Sequence, residues 1–174
     1  IQTMVRIREM NRIETDSRIV EINPFGALKV KKSFYEEANF KVDQILSKSL
    51  KECEIHSSLC SSLIDNVLNG NNSCLIAYGQ SGTGKTHTLG LQPSRARSGT
   101  FSYAITSLFD CLEKHQSEGS ILMSVFQIYL DEVDDLLNPH GKSLKIREDI
   151  SSNEIFLKNL IKVDVPSSTE ALEF

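Results

Sequence analysis

The sequence has no run of eighteen apolar residues and no basic-then-apolar leader at its start. The first absence excludes an evident membrane span. The second, together with an opening Ile1 in place of an initiator Met, predicts an intracellular protein with a trimmed N-terminus. Basic residues are not in surplus, since 19 lysines and arginines stand against 23 aspartates and glutamates. The resulting net charge of −4 argues against a nucleic-acid-binding surface.

Metal-binding spacing, repeats, low-complexity tracts and domain linkers are also missing. The four cysteines show no C-x-x-C pair and no histidine at ligand spacing, so we expect them to be reduced packing or surface residues. They are Cys53, Cys60, Cys74 and Cys111. The absence of linkers predicts one unit spanning residues 1–174.

The chain does contain a phosphate-loop pattern, G-x-x-x-x-G-K-[ST], with every fixed position filled. Its residues are Gly79, Gln80, Ser81, Gly82, Thr83, Gly84, Lys85 and Thr86. Glycines let backbone N–H groups approach phosphate oxygens at φ angles that other residues resist. Lys85 can reach the β- and γ-phosphates, Thr86 offers a hydroxyl to Mg²⁺, and a helix starting here points its positive end at the anion. The pattern therefore predicts a nucleoside-triphosphate site; the alternative is a glycine-rich surface turn.

The flanks of this loop predict an α/β unit. Residues 73–78 are nearly all apolar, as expected of a central strand buried on both faces of a parallel sheet. Helical spacing of apolar residues over 52–68 ends at Asn69-Gly70, and a second helix is expected to continue through Thr88 and Leu89. Helix, strand, loop and helix in this order indicate a parallel sheet.

Short strands dominate the rest of the prediction. They are expected over residues 3–8, 18–22 and 28–34, with a turn at 23–26 and an extended piece over 40–43. Residues 101–116 have the apolar spacing of a helix packed on a core, and residues 121–130 form a long apolar strand. Residues 143–165 predict short strands and a hairpin, and residues 167–170 are a capping box that opens a last helix.

Taken together, these segments resemble the kinesin motor domain family. Residues 76–80 and 84–88 look like its phosphate loop with flanks, and four further segments agree in order and spacing. They are Val5-Arg6-Ile7-Arg8, like the first strand; Phe40-Lys41-Val42-Asp43, like F-x-F-D; residues 126–137, like E-I-Y-N-E-x-x-x-D-L-L; and residues 144–148, like the I-R-E-D region. The resemblance implies a phosphate-loop NTPase with a mixed, mainly parallel central sheet flanked by helices.

This resemblance covers about the N-terminal half of a motor domain. The family's switch I pattern N-x-x-S-S-R-S-H, its switch II pattern D-x-x-G-x-E and its neck linker fall beyond residue 174. No catalytic residue is therefore expected in these 174 residues, and the fragment alone is expected to be inactive.

Ligands and partners follow from the resemblance residue by residue. It implies ATP or ADP and Mg²⁺, with residues 79–86 on the phosphates, Thr86 on the metal, and Arg6, Arg8 and His87 bordering the adenine. A guanidinium or an imidazole can lie flat against a purine. Microtubules are the implied partner, in the cytoplasm on the cytoskeleton, either on microtubules generally or on the spindle. Lys158 and Lys162 map to the hairpin that faces the microtubule. The alternative for these lysines is an ordinary solvated strand face.

Several positions depart from the family pattern. Glu9 replaces the usual proline after the second arginine, which puts the tightness of nucleotide binding in question. Gln127 and Leu130 replace the usual glutamate and asparagine, and Asn153-Glu154 stands where the tail hairpin usually has glycine. The sequence indicates a divergent member.

Three functions stay open at this stage. The multi-segment match favours a kinesin-like ATPase motor. Asp131 alone favours another phosphate-loop ATPase, with Asp131 as the Walker B magnesium ligand and Glu132 positioning water. A non-catalytic relative that binds microtubules or a partner motor is the third.

Overall fold

A computed structural model describes residues 1–7, 20–22, 27–31, 36–47, 50–91, 98–114 and 119–174. Backbone contacts divide the chain into two compact units, Ile1–Leu89 and Gly90–Phe174, which are described separately.

The first unit begins with five short strands: β1 (Met4–Arg6), β2 (Val20–Ile22), β3 (Leu28–Lys31), β4 (Glu37–Phe40) and β5 (Gln44–Leu46). β1 pairs with β5 in parallel, whereas β2, β3 and β4 form an antiparallel sheet in that order. The alternation that predicted strands at 3–8, 18–22 and 28–34 is confirmed where these ranges are described. Arg8 and the turn at 23–26 lie outside the described residues.

The three-stranded sheet has one apolar and one charged face. Val20, Val30 and Ala38 stand opposite one another, as do Ile22, Leu28 and Phe40. On the other face are two salt bridges. Lys29 Nζ lies 2.6 Å from Glu37 Oε2, and Lys31 Nζ lies 2.9 Å from Glu21 Oε1. Successive side chains of a strand point to opposite faces of the sheet, and this alternation separates the apolar residues from the charged ones.

The extended piece predicted over 40–43 is misplaced, because β4 ends at Phe40 and β5 begins at Gln44. Asp43 explains the break. Its Oδ2 accepts hydrogen bonds from the Thr3 backbone N–H at 2.6 Å and the Thr3 hydroxyl at 2.7 Å. Both bonds lower the pKa of the Asp43 carboxyl, and the bond from the Thr3 backbone N–H has the larger effect. They turn the chain out of β4 and set β5 beside β1.

Helix α1 (Glu52–Leu68) has the predicted bounds. The Lys51 backbone N–H donates to Glu54 Oε2 at 2.7 Å at its start, and Gly70 adopts a φ of 81° just after its end. Ile55 and Cys60 are buried, and burial raises the pKa of the Cys60 thiol to about 11. None of the four cysteines, which all lie in described ranges, forms a disulfide bond.

The buried central strand predicted over 73–78 is wrong. Residues 71–79 have no regular secondary structure, and Leu75, Ile76 and Tyr78 are 38%, 78% and 97% exposed. Strands need a ladder partner, and the described strands of this unit pair among themselves. The hydroxyl of Ser73 instead donates to the Leu63 carbonyl at 3.0 Å, which fastens the segment to α1. After the loop, α2 (Lys85–Leu89) forms as predicted.

The second unit contains α3 (Thr100–Lys114), β6 (Ile121–Met123), β7 (Phe126–Tyr129), β8 (Glu132–Asp135), β9 (Lys145–Asp149), β10 (Glu154–Lys158), β11 (Val163–Val165) and α4 (Ser168–Ala171). β6 pairs with β11, β7 with β8, and β9 with β10, all antiparallel. The predicted tail strands and hairpin are confirmed. So is the capping box, because the Ser167 hydroxyl accepts from the Glu170 N–H at 3.2 Å.

One prediction for this unit is wrong. The single strand expected over 121–130 divides into β6 and β7, because the two pieces pair with different strands. The helix predicted over 101–116 is present as α3, and the apolar residues of its predicted inner face are partly buried, except Phe101, which is 36% exposed. The fully buried residues of α3 are Thr100 and Ser102.

Parallel and antiparallel pairing both occur among the described strands, so the sheet structure is mixed. Only the pair of β1 and β5 is parallel there, so these residues do not form the mainly parallel sheet that was expected. No helix in the described ranges is both long enough and apolar enough to cross a membrane.

Candidate functional site

The phosphate loop lies between the irregular segment 71–79 and α2. Gly79, Gly82 and Gly84 have φ angles of 152°, 84° and 97°, all in the range that side-chained residues rarely adopt. At Gly79 the space is also restricted, because an added Cβ would lie 2.8 Å from the hydroxyl oxygen of Thr83. The glycines predicted from the motif are thus required by the loop's own conformation.

Lys85 is held against the inside of this loop. Its Nζ donates to the carbonyl oxygens of Gly79 at 2.7 Å and Gln80 at 2.9 Å. Thr83 closes the loop further, with its hydroxyl donating to the Gln80 carbonyl at 2.8 Å and its N–H donating to the same oxygen at 3.2 Å. The fold therefore holds one ammonium charge against the backbone of the predicted phosphate loop.

Arg6 is joined to the loop through Thr88, which the sequence did not indicate as a site residue. Its Nη1 donates to the hydroxyl oxygen of Thr88 at 3.0 Å, and that hydroxyl donates to the Gly84 carbonyl at 2.9 Å. Thr88 lies four residues after Gly84, which is the helical spacing for such a bond. That spacing was the available signal.

A cavity of about 280 Å³ opens between these groups. Arg6, Thr83, Lys85 and Thr88 contribute polar side chains to its lining, and most of the remaining side chains are apolar, including Leu46 and Leu89. A cation beside a glycine loop can bind an anionic group, and an aliphatic wall can take a flat ring.

The other predicted site residues lie differently. Gln80, Ser81, Thr86 and His87 are exposed, and neither Thr86 nor His87 lines the cavity. Arg8 lies outside the described residues. The structure thus brings Arg6, but not His87, to the cavity beside the loop.

Asp131 occupies a hairpin turn in the second unit. Leu130 and Asp131 connect β7 directly to β8, with φ angles of 48° and 63°. A Walker B aspartate follows a strand of a parallel sheet, whereas β7 reverses at once into an antiparallel partner. This geometry does not fit the Walker B alternative. Among the described residues no group of three or more His, Cys, Asp or Glu side chains could hold a metal ion.

Lys158 ends strand β10 and lies beside other cations. A depression of about 410 Å³ is lined by Lys142, Lys145, Arg147 and Lys158, with no acidic residue in its lining. All four side chains are exposed, and none forms a salt bridge with another described residue. Lys162 is exposed, but it lies after the end of β10 and therefore outside the hairpin to which the family resemblance assigned it, and it does not line the depression. We call the four residues the basic depression.

Comparison with known proteins gives a consistent result. The kinesin motor domain model matches residues 6–174. A kinesin heavy chain of Syncephalastrum racemosum is 28% identical over 99% of this chain, and the kinesin-like protein Klp61F of Drosophila melanogaster is 30% identical over 98%. The chain covers 19% and 17% of those two relatives.

Solved structures show the same fold. A fast kinesin superposes with a TM-score of 0.87 at 26% identity, and a Kar3-like kinesin from Ashbya gossypii with 0.81 at 25%. A KIF14 dimer in complex with a microtubule and AMP-PNP has a TM-score of 0.87 at 23% identity, which shows the fold alone. This chain spans about half the length of these solved chains, between 50% and 56%. With the family model matching nearly its whole length, the chain belongs to the kinesin motor domain family.

Proposed function

We propose that this chain is the ATP-binding part of a kinesin-like motor that couples Mg-ATP hydrolysis to movement on microtubules. The observation that carries the proposal is the Lys85 ammonium, which donates to the carbonyls of Gly79 and Gln80 inside a loop whose three glycines all have positive φ angles. Calorimetric titration of the full-length protein with Mg-ATP tests it, and absence of binding would contradict it.

The residues present fit a nucleotide. Gly79, Gly82 and Gly84 have φ angles that side-chained residues rarely adopt, which allows backbone N–H groups of the loop to turn toward an anion. In the proposed complex the backbone N–H groups of residues 79–86 and Lys85 hold the phosphates, and Arg6 borders the adenine. Arg8 and His87 remain proposals for the same border. Mg²⁺, held by the Thr86 hydroxyl, would neutralise phosphate charge.

Hydrolysis and movement are proposed for the full-length protein. The chain covers about a fifth of its curated relatives and about half of the solved motor domains. Because the family match runs through both compact units, we place residues 1–174 in one motor domain. We also propose that the complete domain has the mixed, mainly parallel central sheet flanked by helices that the family resemblance implies.

The basic depression supports the proposal that the protein contacts microtubules, and we propose that it is located on the cytoskeleton. An acidic partner is attracted by exposed cations, and these four form no salt bridge within the part of the chain that the structure describes. Lys158 contributes to this depression, whereas Lys162 lies nearby on the chain but not in its lining.

Replacing Lys158 and Lys162 together with alanine should weaken microtubule co-sedimentation of the full-length protein several-fold at low salt. The difference from wild type should close as salt rises, because exposed charges are screened. Lys158→Ala should carry the larger share, since Lys158 lies among three other cations. Nucleotide affinity without microtubules should not change. Co-sedimentation equal to wild type at low salt would return both lysines to an ordinary solvated strand face.

Replacing Asp131 with alanine should have a mild effect. The side chain is exposed in a turn, so we expect a loss below about 1 kcal/mol in the free energy of unfolding. Mg²⁺-dependent nucleotide binding should stay at the wild-type level, whereas Thr86→Ala should reduce it. A loss of Mg²⁺ dependence in Asp131→Ala as large as in Thr86→Ala would restore the Walker B alternative.

A further inference from the structure

Asp135 is a buried carboxylate at the end of β8, only 5% exposed. Its Oδ1 accepts from the backbone N–H of Leu137 at 2.9 Å, and its Oδ2 accepts from that of Ile161 at 2.9 Å. Ile161 lies 26 residues further along the chain, just after β10. One side chain therefore ties the chain leaving the β9–β10 hairpin to strand β8.

The chain entering the same hairpin is tied to β8 as well. The Val133 N–H donates to the Ser143 hydroxyl at 3.1 Å, and that hydroxyl donates to the Val133 carbonyl at 3.1 Å. The Leu144 N–H donates to the same carbonyl at 2.6 Å. Both feet of the β9–β10 hairpin are thus fastened to β8, through Ser143 at the entry and Asp135 at the exit.

The basic depression lies at these feet. Lys142 adjoins Ser143, and Lys145 and Lys158 stand opposite each other where β9 begins and β10 ends. The position of these cations therefore depends on how the two feet are fixed.

We propose that Asp135 is a positioning residue for microtubule binding, which sets the place of Lys158 by fastening the exit of the hairpin to β8. The inference rests on the proposed contact of Lys158 with microtubules. It goes beyond that contact, because Asp135 is buried and acts only through the hairpin.

Asp135→Asn and Asp134→Asn form a matched pair in the full-length protein. Each removes one carboxylate charge from β8, but only the first points an amide N–H₂ at a backbone donor. Asp134 is half-exposed, and its described hydrogen bond, from Gln127 Nε2, is long at 3.5 Å. We expect Asp135→Asn to weaken microtubule co-sedimentation about fivefold at low salt, which is the upper range for loss of an exposed charge. Asp134→Asn should stay within about twofold. Nucleotide affinity without microtubules should be the same in both.

A double-mutant cycle separates positioning from general destabilisation. If Asp135 acts through Lys158, Lys158→Ala should cost much less in the Asp135→Asn background than in wild type. Independent, multiplying losses would overturn the inference. If Asp135→Asn does not fold, Ser143→Ala replaces it, because it loosens the entry of the hairpin instead of the exit. A smaller cost of Lys158→Ala in the Ser143→Ala background supports the inference, and independent losses overturn it.

The two proposals fail differently. If Lys158→Ala weakens binding and Asp135→Asn does not, the inference is overturned and the microtubule contact stands. If Lys158→Ala leaves binding at the wild-type level, the contact through Lys158 is overturned and the inference falls with it.

Discussion

Replacing Lys85 with alanine in the full-length protein should weaken Mg-ATP binding roughly ten- to hundredfold. The Lys85 ammonium lies on the loop, with Nζ 2.7 Å from the Gly79 carbonyl oxygen. A phosphate bound in the loop would accept a hydrogen bond from this ammonium. Loss of one charge-assisted hydrogen bond costs about 1.5–3 kcal/mol, which corresponds to that change in Kd. Calorimetry measures the change directly.

Lys41→Ala is the matched control for Lys85→Ala. Lys41 is exposed in the same compact unit and does not line the cavity beside the loop, so the same charge is removed away from the site. Its Mg-ATP affinity should equal that of wild type. An unchanged affinity in Lys85→Ala, or an equal loss in both variants, would contradict the assignment of the loop.

Replacing Gly79 with alanine should cost about 1–3 kcal/mol in the free energy of unfolding and also weaken nucleotide binding. The backbone φ of 152° strains any side-chained residue, and the new methyl group would meet the Thr83 hydroxyl at 2.8 Å. Relief of the clash moves the Gly79 carbonyl, which holds Lys85. Chemical denaturation and calorimetry measure the two effects.

Two further variants identify the cause. Gly82→Ala has a positive φ of 84° but no atom within 4 Å of its new methyl group, so we expect a loss of only about 1–2 kcal/mol. Thr83→Ala combined with Gly79→Ala removes the clash and should recover part of the loss. If Gly79→Ala and Gly82→Ala were equally mild in stability and affinity, close packing inside the loop would not matter.

Features set by local sequence were predictable. Helix α1 has its predicted bounds because Glu54 near its start and Gly70 just after its end act within a few residues of the helix termini. The Ser167 cap of α4 is local in the same sense. The phosphate loop is local as well, because Lys85 donates to the carbonyls of Gly79 and Gln80 within the same eight residues.

Features that need a partner far along the chain were not predictable. The apolar segment 73–78 indicates burial, but its sequence does not say which strand pairs with it, and the described strands pair elsewhere. The break between β6 and β7 depends on pairing with β11 and β8. The hydrogen bond from Arg6 to Thr88 joins residues 82 apart, and no spacing rule reaches that far.

The turn at Leu130 and Asp131 was not predicted for a different reason. Two-residue hairpin turns favour Asn-Gly or Asp-Gly because both central residues need a positive φ. Leu130 and Asp131 take φ angles of 48° and 63° with neither glycine nor asparagine present. Pairing of β7 with β8 imposes the turn against local preference.

The most direct test of the account is the steady-state rate of ATP hydrolysis by the full-length protein as microtubules are added. A kinesin-like motor predicts a low rate alone, a rise to saturation with microtubule concentration, and loss of the rise in Lys85→Ala. An absence of hydrolysis with and without microtubules, while Mg-ATP and microtubules both bind, would contradict the motor and leave the non-catalytic relative in its place.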